Sequence, residues 1–140
     1  MTIIWPVFAM VALTVATTYR LALKRVTAIK ARRVDVRFFK SYRGYDEPED
    51  LAVASRNLLN LFETPMLFYV VAVLIYVTGQ ASGTLVALAW LYVATRYLHS
   101  YIHLTTNAVV WRFRVFGAGF IILTLIWVVF GAQLAFSGAA

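Results

Sequence analysis

Cysteine is absent from the 140 residues. Disulfides, thiolate metal sites and cysteine nucleophiles are therefore excluded. Charge is also scarce: charged residues make up 14% of the chain, against about 25% in a typical soluble domain. Acids are the scarcest, with six Asp+Glu against thirteen Lys+Arg and a net charge of +7. Hydrophobic residues reach 62%, well above the roughly 45–50% of a soluble domain. This balance excludes an ordinary cytosolic enzyme and a disordered chain. A basic chain often binds nucleic acid, but in one so apolar the basic residues report membrane topology. No nucleic-acid partner is expected.

Four apolar runs span residues 3–23, 51–78, 84–106 and 115–136. Each supplies the roughly 20 residues that cross a bilayer core of about 30 Å. They are too long, and alternate too little, for membrane strands. The first run is broken only by Pro6 and Arg20. It lacks a basic leader and a polar cleavage stretch, so it is read as a retained helix. No internal repeat stands out, and no stretch is left for a soluble domain. Residues 1–140 are thus expected to form a single all-α, four-span transmembrane domain, an integral membrane four-helix bundle.

The connections set its orientation. Lys24, Arg25, Lys30, Arg32, Arg33, Arg37, Lys40 and Arg43 separate the first two runs, and Asp46, Glu47, Glu49 and Asp50 follow. Arg112 and Arg114 separate the last two, whereas Gly79-Gln80-Ala81-Ser82-Gly83 carries no charge. The positive-inside rule puts the two basic connections in the cytoplasm and both termini on the other side. Trp5, Trp127 and Trp111 are candidate interfacial anchors. The basic loop reads either as a topology signal that also attracts anionic lipid headgroups or as a cationic mouth for anionic substrates. The acidic cluster is expected to pair with part of that loop and to sit at the N-terminus of the second span, where negative charge is favoured.

The informative residues are polar ones inside the spans. Arg56, Asn60 and Glu63 share one helical face of the second run, and Arg96, His99, His103 and Asn107 one face of the third. At about 1.5 Å per residue, both faces fall in the cytoplasmic half of the membrane. A charge at the bilayer centre costs about 2.5–3.5 kcal/mol or more, so both faces are expected to turn toward the bundle interior. Glu63 is the only acid within a run, and Arg56 and Arg96 are its expected partners. Pro65 removes one helical donor, that of the Leu61 carbonyl. It either kinks the second span or is tolerated there through neighbouring groups.

One reading of these residues is a structural ion-pair network that fixes helix register. It accounts poorly for Arg56, Arg96 and Arg112 facing a single glutamate, an excess of cations that calls for an anion. A zinc site on His99, His103 and Glu63 lacks a signature such as HExxH. A proton-coupled transporter is disfavoured by four short spans without repeat or broken helix.

The string Arg56-Asn57-Leu58-Leu59-Asn60-Leu61-Phe62-Glu63, with Pro65 beyond it, resembles the second-helix signature of the MAPEG family (membrane-associated proteins in eicosanoid and glutathione metabolism). Arg96-x-x-His99-x-x-x-His103 and then Arg112 resemble the family's third-helix pattern and its following arginine. The resemblance covers about residues 1–136 and looks closest to uncharacterised bacterial members. It implies a homotrimer in a bacterial inner membrane, with glutathione bound between subunits near the cytoplasmic side. It also implies that Arg56, Asn60, Glu63, Arg96, His99 and His103 line the glutathione site and that Arg112 stabilises the thiolate. Arg20 or Lys24 would match a first-helix basic residue that reaches the tripeptide. Departures are His103, where several members have Tyr, and Phe113 and Phe116, where the prostaglandin synthase has polar residues.

The residue chemistry agrees with that implication. Arginines clamp carboxylates bidentately, a glutamate holds an ammonium, and an arginine beside sulfur favours the nucleophilic thiolate. The expected function is a membrane-bound glutathione-dependent transferase or peroxidase acting on lipophilic electrophiles that arrive from the bilayer lipids. The alternative is a non-catalytic lipid-binding or scaffolding membrane protein, since the family also contains a member that presents lipid without catalysis.

Overall fold

A computed structural model describes residues 2–42 and 47–137. Arg43 and Asp46 of the charged first connection lie outside the described residues. Five helices follow in order: α1 (Ile4–Lys30), α2 (Phe38–Ser41), α3 (Glu49–Val77), α4 (Gly83–Leu104) and α5 (Val109–Ser137). No strand occurs among the described residues. The four long helices correspond to the four apolar runs, and α2 is an additional single turn in the basic connection. The helix α1 runs past the apolar stretch, taking in Lys24, Arg25 and Lys30. It does so because nothing before Ala31 breaks it. Pro6 sits in its first turn, where the missing N–H would lack an intrahelical partner anyway.

Among the described residues, three helices are long and apolar enough to cross a membrane: α1, α3 and α5. The helix α4 has 22 residues, about 33 Å of rise, but Arg96, His99 and His103 lower its apolarity.

The turns follow from their residues. Gly79 takes the left-handed conformation at φ +70. The Gly79 and Gln80 N–H groups then donate back to Tyr76 and Ile75, which closes the end of α3. Ser82 caps α4 by accepting from the Leu85 N–H at 3.3 Å. Asn107, also left-handed at φ 49, turns the chain from α4 into α5. Its N–H returns to Ile102. Asparagine tolerates this region better than most side chains.

The helices α4 and α5 pack most extensively, and α1 lies along α3. Met10 and Leu13 of α1, Phe68 and Ile75 of α3, Leu85 and Tyr92 of α4, and Leu123 and Ile126 of α5 share one core. Phe68 stacks on Tyr92 with ring centroids 4.8 Å apart. The Tyr97 hydroxyl donates to the Ala9 carbonyl at 2.8 Å and joins α4 to α1. At Gly119 the helices α4 and α5 touch: a Cβ there would stand 2.7 Å from the Thr95 hydroxyl oxygen. That close approach brings the first half of α5 against Arg96 and His99.

The acidic cluster sits where charge complementarity predicts. Glu49 and Asp50 occupy the first turn of α3. Asp50 pairs with Arg33 at 2.6 Å and with Lys24 at 3.4 Å. The beginning of α3 is thereby tied to the end of α1.

Candidate functional site

The α4 stripe is turned inward. Arg96 is only 1% exposed, and His99, Ser100 and His103 are buried with it. The Arg96 guanidinium donates to the main-chain carbonyl of Asn60 at 3.2 Å. That carbonyl is one residue before Leu61, whose own helical donor Pro65 removes. Arg96 also lies over the Phe116 ring, 5.2 Å from its centroid. His99 packs on the same ring with centroids 5.7 Å apart.

Arg112 lies in the first turns of α5 and is half-buried. Its guanidinium donates to the Asn107 side-chain oxygen. Its main-chain carbonyl lies 3.2 Å from Nδ1 of His99. Since a carbonyl only accepts, that contact assigns the proton to Nδ1 and leaves the lone pair on Nε2. Asn60, His99 and Arg112 line one pocket of about 240 Å³, with Phe113 and Phe116 as its apolar walls.

The α3 stripe is turned differently from expectation. The inward face of α3 runs through Asn57, Leu61, Pro65, Phe68 and Ala72. Arg56 and Glu63 stand on the protomer surface, and Asn60 lies at the boundary. Steps of four, four, three and four residues define that inward face, and 56, 60 and 63 sit about 100° around from 57, 61 and 64. Glu63 forms no ion pair with Arg56 or Arg96. Among the described residues the ion pairs are those of Asp50 with Lys24 and Arg33. The buried ion-pair network expected around Glu63 is therefore absent within the protomer.

Arg56 borders a second pocket of about 520 Å³ with Leu21, Arg25, Ser55, Leu59 and Phe62. The α1 residue that reaches this region is Arg25, in place of Arg20 or Lys24. Lys24 is engaged with Asp50. Arg25 lies over Phe39 at 5.3 Å and donates to the Ser55 hydroxyl at 3.4 Å. His103 borders a third cavity, of about 540 Å³, with Lys24, Arg33, Glu49, Asp50 and Asn107. The structure thus unites Asn60, His99 and Arg112 in one pocket, with Arg96 beside it, and puts Arg56 and His103 on different cavities. No group of three His, Cys, Asp or Glu among the described residues is placed to hold a metal ion.

Asn107, Phe116 and Asn57 are not among the residues expected to line the ligand site, although the sequence singles out Asn107 in the α4 stripe and Phe116 as a departure from the family. Asn107 reads as the last member of the α4 stripe, but it lies in the turn and fixes Arg112. Phe116 stands four residues after Arg112, one turn along the same face. Asn57 is fully buried, and neither atom of its amide has a partner. Only its being an amide in an apolar helix marks it in the sequence.

The model of the MAPEG family matches residues 3–132. The chain belongs to the MAPEG family. Its long apolar helices agree with a membrane protein of this family, which is named for eicosanoid and glutathione metabolism. No curated protein and no solved structure matches it. On this MAPEG chain Arg56, Arg96 and Arg112 have no carboxylate partner among the described residues.

Proposed function

We propose that this protein is a membrane-bound glutathione-dependent transferase or peroxidase acting on lipophilic electrophiles. Its subunit would be a four-span domain, with α4 crossing beside α1, α3 and α5. The observation that carries this reading is the pocket shared by Asn60, His99 and Arg112, flanked by a buried arginine that lacks a carboxylate. Such a pocket suits a ligand with carboxylates and a thiol. Arg96 and Arg56 are suited to the carboxylates, Glu63 to the ammonium, and Arg112 to the sulfur. A cation beside a thiol lowers its pKa by about 1–3 units. The anionic sulfur can then add to an electrophilic carbon or attack a hydroperoxide oxygen.

The same reading includes a homotrimer. Arg56 and Glu63 are exposed on the protomer, although Glu63 is at the middle of α3, about 21 Å from either end. A lipid-facing carboxylate at that depth is costly. A second copy that covers it removes the cost. The Asn60/His99/Arg112 pocket, at about 240 Å³, is also below the roughly 300–1,000 Å³ of a complete ligand site. A neighbouring subunit would supply the missing walls. The basic ends of α1 and α5 would face the cytoplasm, with the start of α1 and the end of α5 across a bacterial inner membrane, as the family resemblance implies.

Calorimetric titration of the detergent-solubilised protein with glutathione tests this reading. Saturable binding that is lost in Glu63→Gln supports it. No heat of binding moves the weight to a lipid-binding or scaffolding protein.

A further inference from the structure

Forming a thiolate in a membrane site that a neighbouring subunit completes releases a proton, and that proton needs a way out. We propose that His99 and His103 form this exit, carrying the proton from the Arg112 pocket to the water-filled mouth at the start of α3. The proposal rests on the thiolate reading above and adds a route to it.

Four observations support the route. His99 borders the pocket of Asn60 and Arg112. His103, one helical turn further along α4, borders the mouth cavity with Glu49, Asp50, Lys24 and Arg33. The two rings lie edge to face with centroids 5.7 Å apart. Finally, Nε2 of His99 and Nδ1 of His103 are both buried and without a hydrogen-bond partner. Two orphaned ring nitrogens between two cavities are costly as mere packing. They are well suited to proton transfer through one intervening water.

The tautomer gives the direction of transfer. Nδ1 of His99 keeps its proton on the Arg112 carbonyl, so Nε2 is the acceptor. The S–H bond breaks, its electron pair stays on sulfur, and Nε2 of His99 takes the proton. The imidazolium returns that proton from Nε2, through the water, to Nδ1 of His103. His103 then gives up one proton to water in the mouth. The sum is one thiolate held beside Arg112 and one proton delivered to solvent, with both rings neutral again.

Charged side chains line both ends of the route: Arg112 in the pocket of His99, and Lys24 and Arg33 in the cavity of His103. At the mouth, Asp50 is committed to Lys24 and Arg33, and Glu49 is exposed to solvent.

The test is rapid mixing of the purified, detergent-solubilised protein with glutathione. Two signals are followed: the ultraviolet absorbance of the thiolate and the colour of a pH indicator in weak buffer. Observed first-order rates are compared, because they do not depend on how many sites are filled. In His103→Phe, which keeps an aromatic ring on His99, both rates should fall at least tenfold. Added imidazole should restore them. His103→Tyr should behave in the same way, since a phenol near pKa 10 does not exchange protons readily at neutral pH, and it serves where the Phe variant does not fold. Rates equal to wild type in either folded variant would overturn the exit route and leave the thiolate reading intact. Absence of thiolate in the wild type would overturn the thiolate reading, and the route with it.

Discussion

Two polar stripes, one on α3 and one on α4, share a depth but are turned to different sides of the protomer. Arg96, His99 and His103 are packed inside. Arg56 and Glu63 stand on the surface, with Asn60 between the two worlds. The inward stripe is held by its own chain: Arg96 on the Asn60 carbonyl, His99 on the Arg112 carbonyl, and both the Arg96 guanidinium and the His99 ring on Phe116. The outward stripe has no such support. In a soluble protein, exposed Arg and Glu need no explanation. About two to four turns inside a membrane helix they call for a partner. The α4 stripe is therefore a structural element that also borders the pocket of Asn60 and Arg112, whereas in the proposed function the α3 stripe meets a ligand and a neighbouring chain.

That contrast predicts different phenotypes. The largest effect is expected at Arg112, where the inward stripe meets the pocket. Arg112→Ala should abolish the rise in thiolate absorbance seen on mixing with glutathione and lower turnover by about eight- to thirtyfold at neutral pH, the thiolate fraction lost when a shift of 1–3 units is removed from a thiol of pKa near 8.5. A thiolate signal equal to wild type would remove Arg112 from that role.

The two stripes separate next. Arg96→Ala empties a fully buried site and strips the Asn60 carbonyl of its extra donor. It should lower stability by roughly 2–5 kcal/mol, as large-to-small core changes do, with a matching fall in melting temperature. Glu63→Gln should leave the melting temperature of the glutathione-free protein nearly unchanged. It should weaken glutathione binding by about 1.5–3 kcal/mol, the range for a charged hydrogen bond. The reverse pattern, an unstable Glu63→Gln with normal affinity, would restore the structural ion-pair reading of Glu63.

A smaller effect is expected behind the inward stripe. Gly119→Ala pushes a methyl group onto the Thr95 hydroxyl, and overpacking of this kind costs about 1–3 kcal/mol. Thr95→Ala in the same chain removes the clashing oxygen and should return most of the loss. Thermal unfolding of the two single variants and the double variant measures the coupling. Additive losses would show that the close approach at Gly119 does not set the spacing of α4 and α5.

The mouth should be the least sensitive region. Asp50→Asn breaks two partly exposed ion pairs, each worth about 0–1 kcal/mol and screened by salt. A small fall in melting temperature that shrinks further at high ionic strength is the expected result.

Much of this was legible in the sequence. The long apolar runs gave the helices, because a membrane helix announces itself by length and apolarity. The uncharged Gly79-Gln80-Ala81-Ser82-Gly83 stretch separated the second and third runs, where α3 ends and α4 begins. The 3–4 spacing correctly grouped Arg96, His99 and His103. Spacing could not tell which way a stripe is turned. Outside Arg56, Asn60 and Glu63, α3 is apolar on nearly every side, so there was no polar face to contrast with a core face. The assumption that charges turn inward then decided, and it fails for Arg56 and Glu63, which stand on the protomer surface. Asn107 illustrates a different limit. Its +11 position fitted the α4 face, yet Leu104 ends the helix and the left-handed turn gives the asparagine another task. The link from Arg96 to the Asn60 carbonyl is a tertiary contact that no local pattern encodes.

The most direct test is the mass of the protein in mild detergent, corrected for bound detergent and measured on the same sample as glutathione affinity. Three chains per particle, with binding that weakens as dilution or harsher detergent separates them, is the predicted result. A monomer that binds glutathione as tightly as the assembled protein would contradict a site completed by the neighbouring subunit.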